Sequence, residues 1–167
     1  MALIKLNKLA LPSGTALQTV SATKSDTFTS SVNTTCTDIT GLSLSITPSS
    51  TSNKILVFMS IQGTLFRPGL NAVHFRLNRS GTAIGIGDAS GSQVRTTLSD
   101  TVDGTDNVTS ASTQFLDSPS STSALTYKLQ FWQDTPANPF YINRTVNSGA
   151  TANARCISSI TAMEIAG

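Results

Sequence analysis

Apolar and polar residues alternate along most of this chain. Leu42, Leu44 and Ile46 are separated by Ser43 and Ser45 before Pro48-Ser49-Ser50 breaks the run. Val73, Phe75 and Leu77 alternate with His74, Arg76 and Asn78. Leu125, Tyr127, Leu129 and Phe131 alternate with Thr126, Lys128, Gln130 and Trp132. A period of two marks a strand with one buried face. Residues 55–61 are almost continuously apolar, which predicts a central strand buried on both faces. Further strands are expected over 16–23, 26–30, 138–145 and 156–166, with short candidates at 82–86 and 113–116. That makes about eight to ten strands divided by Pro, Gly, Asn and Ser turns, and no 12-residue window has a helical period. Many short strands predict an all-β chain folded as an antiparallel β-sandwich, at this length of jelly-roll type. The sandwich is expected to occupy residues 13–167 as one domain.

Two segments break the alternation. Residues 1–12 (MALIKLNKLALP) are apolar and too short to fold alone, since so short a helix is marginal in water. They are expected to form an attachment arm that buries Leu3, Ile4, Leu6, Leu9 and Leu11 against a partner. Residues 97–112 (TLSDTVDGTDNVTSAS) are polar, and they predict a long surface loop of the kind that carries function or an interface.

Composition narrows the class. Ser and Thr number 24 and 25, whereas charged residues are 12% and Glu164 is the only glutamate. Solvated helix faces use Glu, Lys, Arg and Gln. A surface made of Thr and Ser fits strands and turns instead. An apolar content of 38% separates the chain from disordered Ser/Thr-rich stalks. A net charge of +2 without a basic run gives no footprint for nucleic acid. The longest apolar stretch, Ile55-Leu56-Val57-Phe58-Met59, is far short of the roughly 20 residues that span a bilayer. The first residues lack the apolar run and cleavage site of a signal peptide. Cys36 and Cys156 are too few for a disulfide framework or a zinc site, and read as two small buried hydrophobes, with a single bridge as the alternative.

The chemical inventory argues against an enzyme, and no catalytic, cofactor-binding or metal-binding residue is assigned. His74 is the only histidine and falls on the polar side of its strand, as a solvated or interface residue. No G-x-S-x-G elbow surrounds any serine. Asp100, Asp103 and Asp106 share one polar loop, which offers neither the burial that raises a catalytic carboxyl nor the spacing of a calcium loop. Gly85-Ile86-Gly87-Asp88-Ala89-Ser90-Gly91 lacks the following helix that a phosphate loop needs, and reads as a turn. Trp132 lies on the Lys128 and Gln130 side of its strand, so it is exposed or at an interface. Phe66-Arg67-Pro68-Gly69 reads as an exposed loop with an aromatic tip. Phe66, Arg67, Asp103 and Trp132 are therefore the candidate receptor or subunit contacts, because aromatic and Arg side chains anchor interfaces and stack on sugar rings.

Several phrases occur in a fixed order: LQTVSATKSDTFTS (17–30), TDITGLSLSITPSSTSNKILV (37–57), LNRSGTAIGIGDASGSQVR (77–95), FLDSPSSTSALTYKLQF (115–131), YINRT (141–145) and SSITAMEIAG (158–167). Taken together, they resemble a module of short tail-fibre and virion structural proteins of marine and cyanobacterial tailed bacteriophages. The resemblance covers about residues 12–167. It implies a virion component, a homotrimer, with a jelly-roll sandwich body and no catalytic residues. The expected role is a tail-fibre or receptor-binding tip that attaches through residues 1–12 to other virion proteins. It would present loops 66–71 and 97–112, with Trp132, to host surface polysaccharide. The alternative is a capsid decoration protein clamped to the head shell by the same arm.

Overall fold

The computed structural model describes residues 12–31, 35–65, 72–101, 107–133, 139–147, 149 and 153–167. The expected arm apart from Pro12, together with Phe66, Arg67 and Asp103, lies outside the described residues. In chain order the strands are β1 (Ala16–Lys24), β2 (Phe28–Ser30), β3 (Thr37–Ile46), β4 (Lys54–Leu65), β5 (Ala72–Arg79), β6 (Thr82–Ile84), β7 (Leu98–Thr101), β8 (Thr109–Asp117), β9 (Leu125–Gln133), β10 (Phe140–Ile142) and β11 (Ser158–Ile165). No helix occurs among the described residues.

The strands form two antiparallel sheets. In the first, β11 lies between β1 and β4, and β8 pairs with the other edge of β4. Beyond the last β11 pair at Ser60, the short β10 continues that line against Gly63 to Leu65, and β2 pairs with β10 in turn. The first sheet is thus four lines wide: β1 with β2, β11 with β10, β4, and β8. The second sheet has the order β3, β9, β5, with β6 and β7 pairing successive halves of the last edge.

Alternation decides what fills the space between the sheets. Leu125, Tyr127, Leu129 and Phe131 of β9 and Ile160 and Ala162 of β11 are buried. Phe28 and Phe140 from the first sheet interlock with Phe75 and Phe131 from the second. Ring centroids lie 5.7 Å apart for Phe28–Phe131 and Phe131–Phe140, and 5.6 Å for Phe75–Phe140. Burying one such ring stabilises the fold by about 1.5–3 kcal/mol relative to leaving it exposed. In β3 the phase of burial slips from Ile39 to Leu42, because β3 advances from Asp38 to Ser43 while its partner β9 advances only from Gln130 to Lys128, an irregularity that places Gly41 at φ 89°.

Buried polar groups fasten the ends of the strands. The Glu164 side chain is enclosed between the β3–β4 turn and β1. Its Oε1 accepts from the Ser49 amide at 2.6 Å, the Ser49 hydroxyl at 2.8 Å and Asn53 Nδ2 at 2.6 Å, and its Oε2 accepts from Gln18 Nε2 at 2.6 Å. Desolvation pushes its pKa up, but the donors from Asn53, Gln18 and Ser49 outweigh this and hold it below the ordinary value. Arg79 donates to both oxygens of Asp117 at 2.6 and 2.7 Å, tying the second sheet to the first, and Tyr127 Oη donates to Asp117 Oδ2 at 2.6 Å. Burial, reinforced by that bond, pushes the Tyr127 hydroxyl far up.

The segment just before β1 and the C-terminal residues meet beside the Glu164 cluster. Gly14 N donates to Ala166 O at 2.8 Å, and Gly167 N donates to Asn53 Oδ1 at 3.2 Å. Arg79 pairs with Tyr127 near one end of β5 and β9, whereas His74 pairs with Trp132 toward the other. From Tyr127 to Trp132 along β9 is about 16 Å at about 3.3 Å per residue. The described residues therefore have a terminal pole, with Gly14, Gly167 and Glu164, and a distal pole near Trp132.

Four expectations are corrected. Residues 55–61 are a central strand, but only Ile55, Val57, Met59 and Ile61 are buried. Two sheets make only one core, so each strand keeps an outer face, and Phe58 on that face is 38% exposed. The expected loop 97–112 holds strand at both ends, β7 in its first part and the start of β8 in its last, and residues 102–106 between them lie outside the described residues. Its polar side chains are strand-forming Thr and Ser, and Asp100 is held by Thr109 Oγ1 at 2.8 Å across the two strands. The strand expected over 138–145 ends at Ile142, because Asn143 turns into the left-handed region at φ 62°. There its side-chain Nδ2 donates to Lys24 O and Asp26 O at 2.8 and 2.9 Å. Cys36 and Cys156 are half-buried and unbridged.

Candidate functional site

The groove that holds Trp132 lies on the outer face of the second sheet. Strand alternation sends Phe131 and Gln133 into the core and Trp132 outward. On β5 the cross-strand partner of Trp132 is His74, and the two rings lie 5.0 Å apart at 31°. Their near-parallel packing fixes the orientation of the indole. Ser99 of β7 contacts His74 Nδ1 through its hydroxyl at 3.0 Å.

Arg76 is the next outward residue of β5 and forms the floor. Its Nη2 donates to Arg95 O at 3.2 Å, while its Nε is buried with no hydrogen-bond partner among the described residues. The segment after β6 folds back over this floor. Gly85, at φ 58°, lets the backbone pass the Phe115 ring, which a Cβ would meet at 2.8 Å. Gly87 N then donates to Thr96 O at 3.2 Å, and Arg95 Nε donates to Gly87 O at 2.7 Å. Residues 92–95 thereby make one wall, and Thr35 and Cys36 before β3 make the other. The groove encloses about 530 Å³.

Beside it on the same face, Asp38 accepts from Lys128 Nζ at 2.6 Å and Gln130 Nε2 at 2.7 Å. Desolvation opposes its ionisation, but these two donors hold its pKa below the ordinary carboxylate value. The groove thus combines an aromatic face, two guanidinium groups, the hydroxyls of Thr35 and Ser92 and the Gln93 amide, with no carboxylate among its lining residues. Such a surface stacks on a ring and donates hydrogen bonds to its substituents. Among the described residues no three His, Cys, Asp or Glu side chains gather as a metal site requires.

Of the sequence candidates, Trp132 is the one that the described residues include. His74 supports it from the neighbouring strand, and the Gly-rich segment 85–91 acts as the turn that delivers Arg95. Arg76 and Arg95 were missed. Arg76 shares the parity of His74, so pairing β5 with β9 would have placed it beside Trp132. Arg95 belongs to an irregular segment and carries no comparable signal. No protein-family model matches the chain, and no curated protein matches its sequence.

Proposed function

We propose that the protein is a structural component of a tailed-bacteriophage particle: a tail-fibre or receptor-binding tip module on the particle exterior that binds host surface polysaccharide. The observation that carries the binding role is the groove itself, with Trp132 packed on His74 beside an Arg76 Nε that lacks a partner among the described residues. Arg76 and Arg95 favour a polysaccharide bearing carboxylate or sulfate groups, which accept paired hydrogen bonds from guanidinium. The particle role rests on the ordered sequence phrases that resemble such modules.

The strand orders support a jelly roll: β1, β11, β4 and β8 face β3, β9, β5 and the β6–β7 edge, the pattern of two interleaved Greek keys. The poles also fit the role. The terminal pole, where Gly14 and Gly167 lie, attaches the module, and the groove near the distal pole meets the host. Assembly as a homotrimer multiplies a weak sugar contact by avidity. The protein acts without catalysis or cofactor in this reading.

The test is adsorption of the purified full chain to host cells and to their extracted polysaccharide, beside the Trp132→Ala and Arg76→Gln variants. The expected result is saturable adsorption by the wild type and at least tenfold weaker adsorption by Trp132→Ala. Wild-type protein that does not adsorb, or a Trp132→Ala variant that adsorbs equally, overturns the binding role. Labelling of intact particles on the head shell rather than the tail favours the decoration protein instead.

A further inference from the structure

The outer face of the first sheet differs from that of the second, and the groove makes no use of it. Its outward positions on β1, β4, β8 and β11 are Ser, Thr, Gln, Leu, Met, Phe and Ile, with no charged side chain between the margins. Lys54, the first residue of β4, marks one margin, and Arg144, 4.7 Å above the Tyr141 ring, marks the other. The chain carries 11 Lys and Arg and 9 Asp and Glu, and none of them stands at an outward position of these strands between those margins. The apolar residues within the field are adjacent in register. Leu56 lies between Leu116 and Met163, and Phe58 lies between Gln114 and Thr161. Leu116 is 46% exposed, Phe58 is 38% exposed, and an open hollow of about 450 Å³ lies beside Phe58 over Ser60, Ser112 and Ser159.

We infer that this face is where copies of the chain meet. A buried unpaired charge is costly, and the cores of stable interfaces are depleted of charge. A partner of different chemistry is usually oriented by complementary charges, and this field offers none to complement. A second copy brings side chains of the same kind, so it leaves no ion unpaired and provides hydroxyls that pair with hydroxyls.

The size agrees. Four lines of strand about 4.8 Å apart, each about nine residues long at about 3.3 Å per residue, give a field of roughly 19 Å by 30 Å. With side-chain relief that approaches the roughly 800 Å² that each partner contributes to a standard interface. The inference rests on the oligomer in the proposed function. It depends on neither the phage assignment nor the groove.

The test is the mass of the full chain by light scattering after size exclusion, for the wild type and for Phe58→Lys and Leu116→Lys. The wild type is expected at a multiple of 17.5 kDa and both variants at a single chain. Gln114→Arg, a change at an exposed site in the same field, keeps the test valid where a lysine variant fails to fold. Its mass is also expected to fall to one chain. A wild type that runs as a single chain overturns the inference, and so do charged variants that keep the wild-type mass. Assembly lost on Leu3→Lys with Leu6→Lys but kept in the face variants assigns the contact to the N-terminal segment, and also overturns it. A wild-type mass of two chains rather than three keeps the face and removes the trimer. Single-chain variants that still adsorb polysaccharide weakly leave the groove reading intact.

Discussion

The two outer faces of the sandwich come from the same alternating strands, yet they carry opposite chemistry. The second sheet shows Asp38, Lys128, Arg76, His74 and Trp132 to solvent, and the loop carrying Arg95 folds over part of it. The first sheet shows hydroxyls and a small apolar field without charge. The inner faces do not differ in this way, because both sheets fill one core with aliphatic and aromatic groups. On the proposed reading, the difference reflects what each face meets outside the chain. A charged aromatic groove suits a hydrated, ionic ligand. An uncharged flat field suits a dry, repeated contact.

The largest expected effect removes the core common to both faces. Phe140→Ala should cost about 3–5 kcal/mol in urea unfolding, since the ring contacts Phe75 and Phe131 and leaves a cavity. Both polysaccharide adsorption and self-association should fall together. Loss of one without the other would mean that one face is organised independently of the core.

Next is the polar bolt at the terminal pole. Glu164→Gln should cost about 2–3 kcal/mol at neutral pH, because an amide group meets donors where a carboxylate accepted them. Glu164 has a folded pKa below its ordinary value of 4.5. The folded state then binds fewer protons than the unfolded state, so the stabilisation is present above pH 4.5 and is lost as the pH falls through the lowered pKa. Thermal midpoints measured from pH 7 downward should drop more steeply in the wild type than in Glu164→Gln. Parallel curves would assign the acid sensitivity to other carboxylates.

Trp132→Ala should change unfolding stability by less than about 1 kcal/mol while removing adsorption, because the indole is half-exposed and packs mainly on His74. A large stability loss would make Trp132 a structural residue and weaken the contrast between the faces. Smallest of all, Asp38→Asn should shift stability by less than about 1 kcal/mol, as exposed ion pairs do. A larger shift, measured in the same urea series, would mean that the charged face also holds the sandwich together.

Much of the architecture is legible in the residues. The alternation in β3, β5, β9 and β11 gives their inner faces directly, and scarce Glu and Lys with abundant Thr excludes helices. The errors arise where local pattern and long-range packing diverge. The run at 55–61 is apolar on both sides, and only the number of layers decides that Phe58 faces outward. The stretch 97–112 reads as loop because its strand residues are polar, but β5 and β4 supply waiting edges that pair with them. Trp132 is placed correctly because parity is a local property. The groove around it is not legible, since Arg76, residues 92–95 and Cys36 meet only through strand pairing and loop return.

The opposition of the two poles has a mechanical consequence. On the proposed reading, a particle held beside Gly14 and Gly167 and tethered through the Trp132 groove would be stretched along the strands. Interstrand hydrogen bonds in antiparallel sheets run perpendicular to that direction. A pull of this kind shears many bonds at once, where a pull across the sheet would peel them one pair at a time. The geometry gives the module its strongest axis in the direction along which a tethered particle would drag on it.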